Sequence, residues 1–284
     1  MKRLALLPLV LLLAAVLAGP ARAEVTLSYV RGPPVRLLGA QTADREYDAD
    51  TIAWLRCNGR ATPLMAGWSG GVAPVSMIYS HVLESSKQMA IGLRKPLKTV
   101  TVRGRLLCAT GVRVATKTSP PVNQAVREPQ RVSCNRGQLA IGVPIDGGLF
   151  RNAPVASKPE GLRGWFNSEL DFARAKVVCV PARSFGSAAL VRKAAAFKPG
   201  SATTTVTARC SGGRRPISWG YEAGTLEGNV WRSAESSGTM TVPFVSAAYP
   251  SGSAGWSLTF ATPDGKPATS STSLALHLTC AKPA

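Results

Sequence analysis

Three stretches of the chain fall on one frame without a gap, each opening on a cysteine. They are Cys57-Asn-Gly-Arg-Ala-Thr-Pro-Leu-Met-Ala-Gly-Trp-Ser-Gly-Gly71, Cys134-Asn-Arg-Gly-Gln-Leu-Ala-Ile-Gly-Val-Pro-Ile-Asp-Gly-Gly148 and Cys210-Ser-Gly-Gly-Arg-Arg-Pro-Ile-Ser-Trp-Gly-Tyr-Glu-Ala-Gly224. The two intervals between their first residues differ by one. A fixed period with matching small, apolar and turn positions is an internal repeat, and it must be settled before any fold class is argued. Six cysteines permit many pairings, but the repeat selects one: Cys57 with Cys108, Cys134 with Cys179, and Cys210 with Cys280. Each repeat then owns one bridge.

No pair of cysteines forms C-x-x-C, so zinc or thioredoxin-type chemistry has no local support. An even cysteine count suits an oxidising compartment. The start agrees: Met1-Lys2-Arg3, an apolar block from Leu4 to Ala18, then Ala21-Arg22-Ala23. A cationic start, a short apolar core and small residues at the cleavage positions predict a signal peptide over 1–23, cut after Ala23. No cysteine stands at the cleavage site to accept a lipid, and no later apolar run is long enough for a membrane helix. The expected product is soluble, and secreted or periplasmic.

Alternation along the closing strand of each repeat assigns its faces. In repeat one Val100, Val102, Gly104, Leu106 and Cys108 point inward, against Thr99, Thr101, Arg103 and Arg105. In repeat two Ala173, Ala175, Val177 and Cys179 oppose Arg174 and Lys176. In repeat three Leu274, Leu276, Leu278 and Cys280 oppose Ala275 and His277. The shared parity puts a basic pair at equivalent outer positions of the first two repeats. Gly, Thr, Ser and Val dominate elsewhere and long helical periodicity is absent, so the expected class is all-β.

These features predict three tandem disulfide-stapled β modules, most simply small sandwiches in a row. The rival arrangement is one compact body with pseudo-threefold symmetry. The expected divisions are repeat 1 over 24–114, a linker over 115–130, repeat 2 over 131–182, a linker over 183–202, and repeat 3 over 203–284. Ser119-Pro120-Pro121 and Lys198-Pro199-Gly200 suggest the linkers, while 188–197 has the local propensity for a short helix. A Gly-rich turn leads into Trp165 in repeat two and Trp256 in repeat three, each expected as a core anchor. Repeat one keeps only an echo of this at Glu84-Ser-Ser-Lys-Gln-Met-Ala-Ile-Gly92.

Repeat three, from Thr203-Thr-Thr-Val-Thr-Ala-Arg-Cys210 through Gly255-Trp256 to Leu276-His-Leu-Thr-Cys-Ala281, resembles a small secreted module of actinobacterial and related bacterial proteins. That module runs threonine-rich strand, Cys, Gly-rich turn, Gly-Trp strand and closing Cys-Ala. Repeat two departs from it by lacking the threonine-rich strand and ending Cys179-Val180, and repeat one lacks the Gly-Trp. The resemblance implies a fold type and export, and it carries over no catalytic residue.

Motifs for catalysis are weak. Gly67-Trp-Ser-Gly-Gly71 matches G-x-S-x-G, but a nucleophile elbow needs a strand-to-helix turn with acid and His downstream. Here the context is Gly-rich and β, and the places of Ser69 in the other repeats are Asp146 and Glu222. A turn is the expected reading. Two histidines, His81 and His277, leave no zinc motif, and no phosphate-loop or dinucleotide fingerprint is present, so no cofactor is expected. Asp44, Glu46, Asp48 and Asp50 alternate, but they lack the Gly and the terminal Glu of a calcium loop and read as a solvated face.

Charge is the clearer signal. The formal net charge is +19, from 34 basic and 15 acidic residues, and loss of Lys2, Arg3 and Arg22 lowers it by three. Such an imbalance attracts acidic polysaccharide, nucleic acid or anionic lipid, and it also serves plain solubility. The candidate polyanion-binding residues are Arg103, Arg105, Arg174 and Lys176, with Lys95 and Lys98 nearby and Arg214-Arg215 in the third repeat's turn. The expected function is non-enzymatic: an exported structural or binding module at the cell envelope or beyond. Polyanion binding through the basic strand face is the sharper alternative, and a secreted hydrolase the remote one.

Overall fold

Among the described residues of the computed structural model, each of the three cysteine-framed segments, called repeats below, has six strands in the same order, and the third adds a hairpin. The structure describes residues 24–37, 51–70, 77–83, 88–93, 98–120, 129–146, 156–168, 174–227, 230–232, 243–262, 265–269 and 271–283. Repeat 1 contains β1 (Thr26–Leu37), β2 (Thr51–Arg56), β3 (Thr62–Ser69), β4 (Met77–Leu83), β5 (Gln88–Leu93) and β6 (Val100–Thr110). Repeat 2 contains β7 (Ala115–Thr118), β8 (Gln130–Ser133), β9 (Gln138–Asp146), β10 (Ala156–Glu160), β11 (Gly164–Asn167) and β12 (Arg174–Pro181). Repeat 3 contains β13 (Phe185–Phe197), β14 (Thr203–Arg209), β15 (Arg215–Ala223), a hairpin of β16 (Thr225–Glu227) and β17 (Val230–Arg232), then β18 (Phe244–Pro250), β19 (Gly255–Ala261) and β20 (Thr272–Pro283). The all-β class expected from the sequence is the class observed.

Within each repeat the closing strand is central to one antiparallel sheet: β1-β6-β3, β7-β12-β9 and β13-β20-β15. The other sheet is centred on the strand that carries the Trp in repeats 2 and 3: β2-β5-β4, β8-β11-β10 and β14-β19-β18. The two sheets are stapled by Cys57–Cys108, Cys134–Cys179 and Cys210–Cys280, the pairing the repeat selects, with Cα atoms 5.7, 5.6 and 5.7 Å apart. They close loops of 51, 45 and 70 residues. On the loop-entropy account each is worth about 4 kcal/mol. Three such bridges suit an oxidising environment outside the cytoplasm. Among the described residues no helix is long and apolar enough to cross a membrane.

The frame read in the sequence reappears in the ladders. Six places after its first cysteine each repeat pairs with its closing cysteine: Pro63↔Cys108, Ala140↔Cys179 and Pro216↔Cys280. Twelve places after it, the pairs are Ser69↔Arg103, Asp146↔Arg174 and Glu222↔Ala275. One register shift lies between the two points in every case.

The repeats are not separate beads, because the sheets run from one into the next. β3 pairs with β18, giving a first long sheet β1-β6-β3-β18-β19-β14; β15 pairs with β10, giving a second, β13-β20-β15-β10-β11-β8. β9 lies beside β4 and completes the cycle. One continuous apolar cluster contains Leu64, Ile141 and Ile217, the residues seven places after each first cysteine, all fully buried. Both indoles at the first seam are anchored across it: Trp68 Nε1 donates to Ser246 O and Trp219 Nε1 to Ala66 O, each at 2.8 Å. Trp219 also lies 6.1 Å from Trp68 and 6.4 Å from Trp256. Of the two arrangements the sequence left open, shared sheets over one core belong to the compact one.

Three local expectations need correction. The segments expected as linkers contain β7 and β13, which pair with the closing strands β12 and β20. The alanine-rich stretch 188–197, expected as a helix, lies in β13, in ladder with β20 from Phe185 to Phe197. Helix propensities differ by only about 0.7 kcal/mol per residue or less, and continuous pairing with a buried strand outweighs that. Finally, the turn expected at Gly67 begins later: the residues through Ser69 belong to β3, and Gly70 takes the positive φ of 104°. The acidic alternation at Asp44 to Asp50 lies outside the described residues.

Candidate anion-binding site

Antiparallel partners share a face, so a rung across six strands places six side chains in a row. In the second long sheet one such row reads Arg192, His277 and Gly220, and continues beside Gly220, whose Cβ would stand 2.7 Å from Lys158 Cα, through Lys158, Phe166 and Arg131. Two places along β15, Glu222 is only 5% exposed. Lys158 Nζ donates to its Oε1; Arg192 donates to Oε2 from Nε at 3.3 Å and Nη2 at 3.1 Å; and His277 Nε2 lies 3.1 Å from Oε2. A buried carboxylate is tolerated only with such partners. Burial pushes the Glu222 carboxyl up, but hydrogen bonding and positive charge from His277 and Lys158 outweigh it and hold the group at about 2. At the row's other end Arg131 stacks 4.9 Å over Phe166 and pairs with Glu160 at 2.9 Å. This face supplies its own acids.

The first long sheet repeats the row with different chemistry. Arg31 pairs with Arg105 and Arg105 with Gly67. Tyr249 holds the place of Lys158: each precedes a proline paired with the repeat's Trp, Pro250↔Trp256 and Pro159↔Trp165. The place of Glu222 is taken by Ser69, with Arg103 opposite it. Arg36, opposite Thr101, extends the same stripe. Arg31 and Arg36 are exposed, while Arg103, Arg105, Ser69 and Tyr249 are half-buried. Among the described residues none of these four arginines has an acidic partner, and Arg105 Nε is shut off from solvent without an acceptor.

The seams need glycine at one place. A Cβ on Gly67 would stand 2.2 Å from Ala248 O, and one on Gly220 2.5 Å from Ser157 O. The missing side chains let the neighbouring repeat's strand close in beside the cations.

The sequence candidates are therefore divided. Arg103 and Arg105 sit together on the first long sheet. Lys176 holds the place of Arg105 on a different sheet, β7-β12-β9, with Arg174 opposite Asp146 in the backbone ladder. In the third copy these places are Ala275, fully buried, and His277. Arg215 braces the fold instead, donating from Nη1 to Leu27 O at 3.2 Å and from Nε to Ser253 O at 3.4 Å. Arg214 likewise bonds Ser187 Oγ at 3.2 Å and Ser211 O at 3.3 Å. Lys98 is exposed just before β6, and Lys95 lies outside the described residues. Sequence reasoning missed Arg31 because β1 lies far from its repeat's cysteine. The alignment of Ser69 with Asp146 and Glu222 was the one signal for the acid position.

Ser69 is the last residue of β3 and pairs with Arg103 in the antiparallel ladder. Among the described residues no group of three or more His, Cys, Asp or Glu is placed to hold a metal. No family model matches the chain, and no curated protein matches it. Arginines on neighbouring strands, about 4.8 Å apart across and 6.8 Å along the sheet, can accept successive anionic groups.

Proposed function

We propose that this is an exported, non-enzymatic module that binds an acidic polymer, at the cell envelope or outside the cell, through the β1-β6-β3 face of the first long sheet. The observation that carries the reading is the stripe Arg31, Arg36, Arg103 and Arg105, with no acidic partner among the described residues, on a face whose counterpart in repeat 3 holds Glu222 among its cations. The cationic, apolar and Ala21-Arg-Ala23 pattern of the first 23 residues, the three bridges and the resemblance of repeat three to secreted modules support export. Formal charge adds a long-range attraction that salt screens.

The test is retention of the mature protein on a polyuronate matrix across a sodium chloride series, beside a variant carrying Arg31→Glu, Arg36→Glu and Arg103→Glu. Wild type is expected to bind with a steep salt dependence, and the variant to lose both affinity and slope. Elution of wild type at physiological salt, or equal retention of both proteins, refutes the assignment.

A further inference from the structure

We infer that Arg31, Arg103 and Arg105 around Ser69 form a seat for one ligand carboxylate, which takes the part that Glu222 plays inside repeat 3. This deepens the polymer-binding reading and rests on it. Ser69 and Glu222 stand at one ladder position, and the groups around each correspond: Arg31 to Arg192, Arg105 to His277, and Tyr249 to Lys158. In repeat 3 the two carboxylate oxygens are shared out, Oε1 to Lys158 and Oε2 to Arg192 and His277. Repeat 1 removes the acid, keeps cations at two of the three places and adds Arg103.

Like charges this close repel, and the chain supplies no described counter-ion. Arg105 adds a separate sign: its Nε–H is buried with no acceptor; His277 Nε2, at its place in repeat 3, likewise makes no hydrogen bond of good geometry, but that atom at least has Glu222 Oε2 3.1 Å away. Buried donors normally find an acceptor. A carboxylate from an acidic sugar, planar and two-toothed, suits guanidinium forks. A uronate residue of the polymer is thus the occupant, one per chain.

The experiment compares wild type with Ser69→Glu and Ser69→Gln for binding of galacturonate and polygalacturonate, with thermal melts of each protein. Ser69→Glu is expected to fill the seat from within. It then binds galacturonate at least tenfold more weakly and melts higher, while Ser69→Gln, equal in size but uncharged, loses clearly less affinity than Ser69→Glu and gains no stability. Equal binding by Ser69→Glu and wild type, or equal loss in both variants, overturns the seat. If Ser69→Glu does not fold, the Arg105 Nε–H resonance of wild type decides: it shifts on titration with galacturonate, and a fixed resonance overturns the proposal. Inorganic phosphate competing as well as galacturonate at equal ionic strength overturns the choice of carboxylate. Polymer bound by wild type and equally by Ser69→Glu sinks the seat alone. Galacturonate bound without polymer retention sinks the polymer reading alone.

Discussion

Ser69 and Glu222 occupy the same place in the fold, twelve residues after the first cysteine of their repeats and one rung from the glycine at a repeat-to-repeat seam. One presents a hydroxyl among arginines without acids among the described residues; the other presents a buried carboxylate that Lys158, Arg192 and His277 surround. A single backbone position therefore separates a face that holds a buried carboxylate from one that does not.

Glu222 should dominate the acid sensitivity of the fold. Its carboxyl sits at about 2 rather than 4.5, so between those values the unfolded chain binds the extra proton and stability rises with pH. The contribution, on the order of 3 kcal/mol, is full above roughly pH 5 and disappears as pH falls through about 2. Urea unfolding between pH 2 and 6 should show this slope in wild type and not in Glu222→Gln. At pH 7, removing the acid should cost no more than that contribution, on the order of 3 kcal/mol, because Lys158 and Arg192 keep access to solvent.

The seam glycines should be intolerant of a methyl group. Both Gly67→Ala and Gly220→Ala drive a Cβ to within 2.5 Å of a carbonyl oxygen on the adjoining repeat's strand, and backbone yields poorly. Each should lose about 1–3 kcal/mol or more in denaturant unfolding, as overpacking does. Gly186→Ala is the control: its nearest neighbour would be 3.9 Å away, so its change should stay within about 0.5 kcal/mol.

Repeat 1 should resist being given the Trp it lacks. Met89 pairs with Leu55 as Trp165 pairs with Val132 and Trp256 with Ala208, and all three are buried, so the faint echo in the sequence is a full structural counterpart. Its surroundings are filled by a smaller, flexible side chain. Met89→Trp should therefore destabilise by about 1–3 kcal/mol through overpacking, and Trp256→Ala by about 3–5 kcal/mol through a cavity. Thermal melts of the two variants would check both values.

The period of the cysteines and the parity of the closing strands made the bridges and the inward faces legible in the sequence. Leu274, Leu276, Leu278 and Cys280 are buried as alternation requires. Alternation failed at Ala275, expected outside and fully buried, because β20 is interior to a six-stranded sheet that a neighbouring repeat extends. β13 was hidden for a similar reason. Its Ala-Ala-Ala run carries no strand signal of its own, and only its partner β20, far along the chain, makes it one. The arginines were visible as outward positions, but which would be neutralised depended on Glu222 and Lys158 meeting across two repeats, a contact no local pattern encodes.

The repeats should fold together or not at all. A chain of residues 183–284 alone, which keeps every strand of repeat 3, would expose the edges of β15 and β18 that pair with β10 and β3. It would also uncover Trp219, whose indole donates to Ala66 of repeat 1. Unpaired edges and exposed indoles favour aggregation over a stable domain. Expressed with its bridge intact, this fragment should lack a cooperative transition, whereas the full chain should unfold in one step with tryptophan fluorescence and far-ultraviolet dichroism coincident. Three separable transitions in the full chain, or a cooperative melt of the fragment, would show that each sandwich is stable alone and that the shared sheets add little.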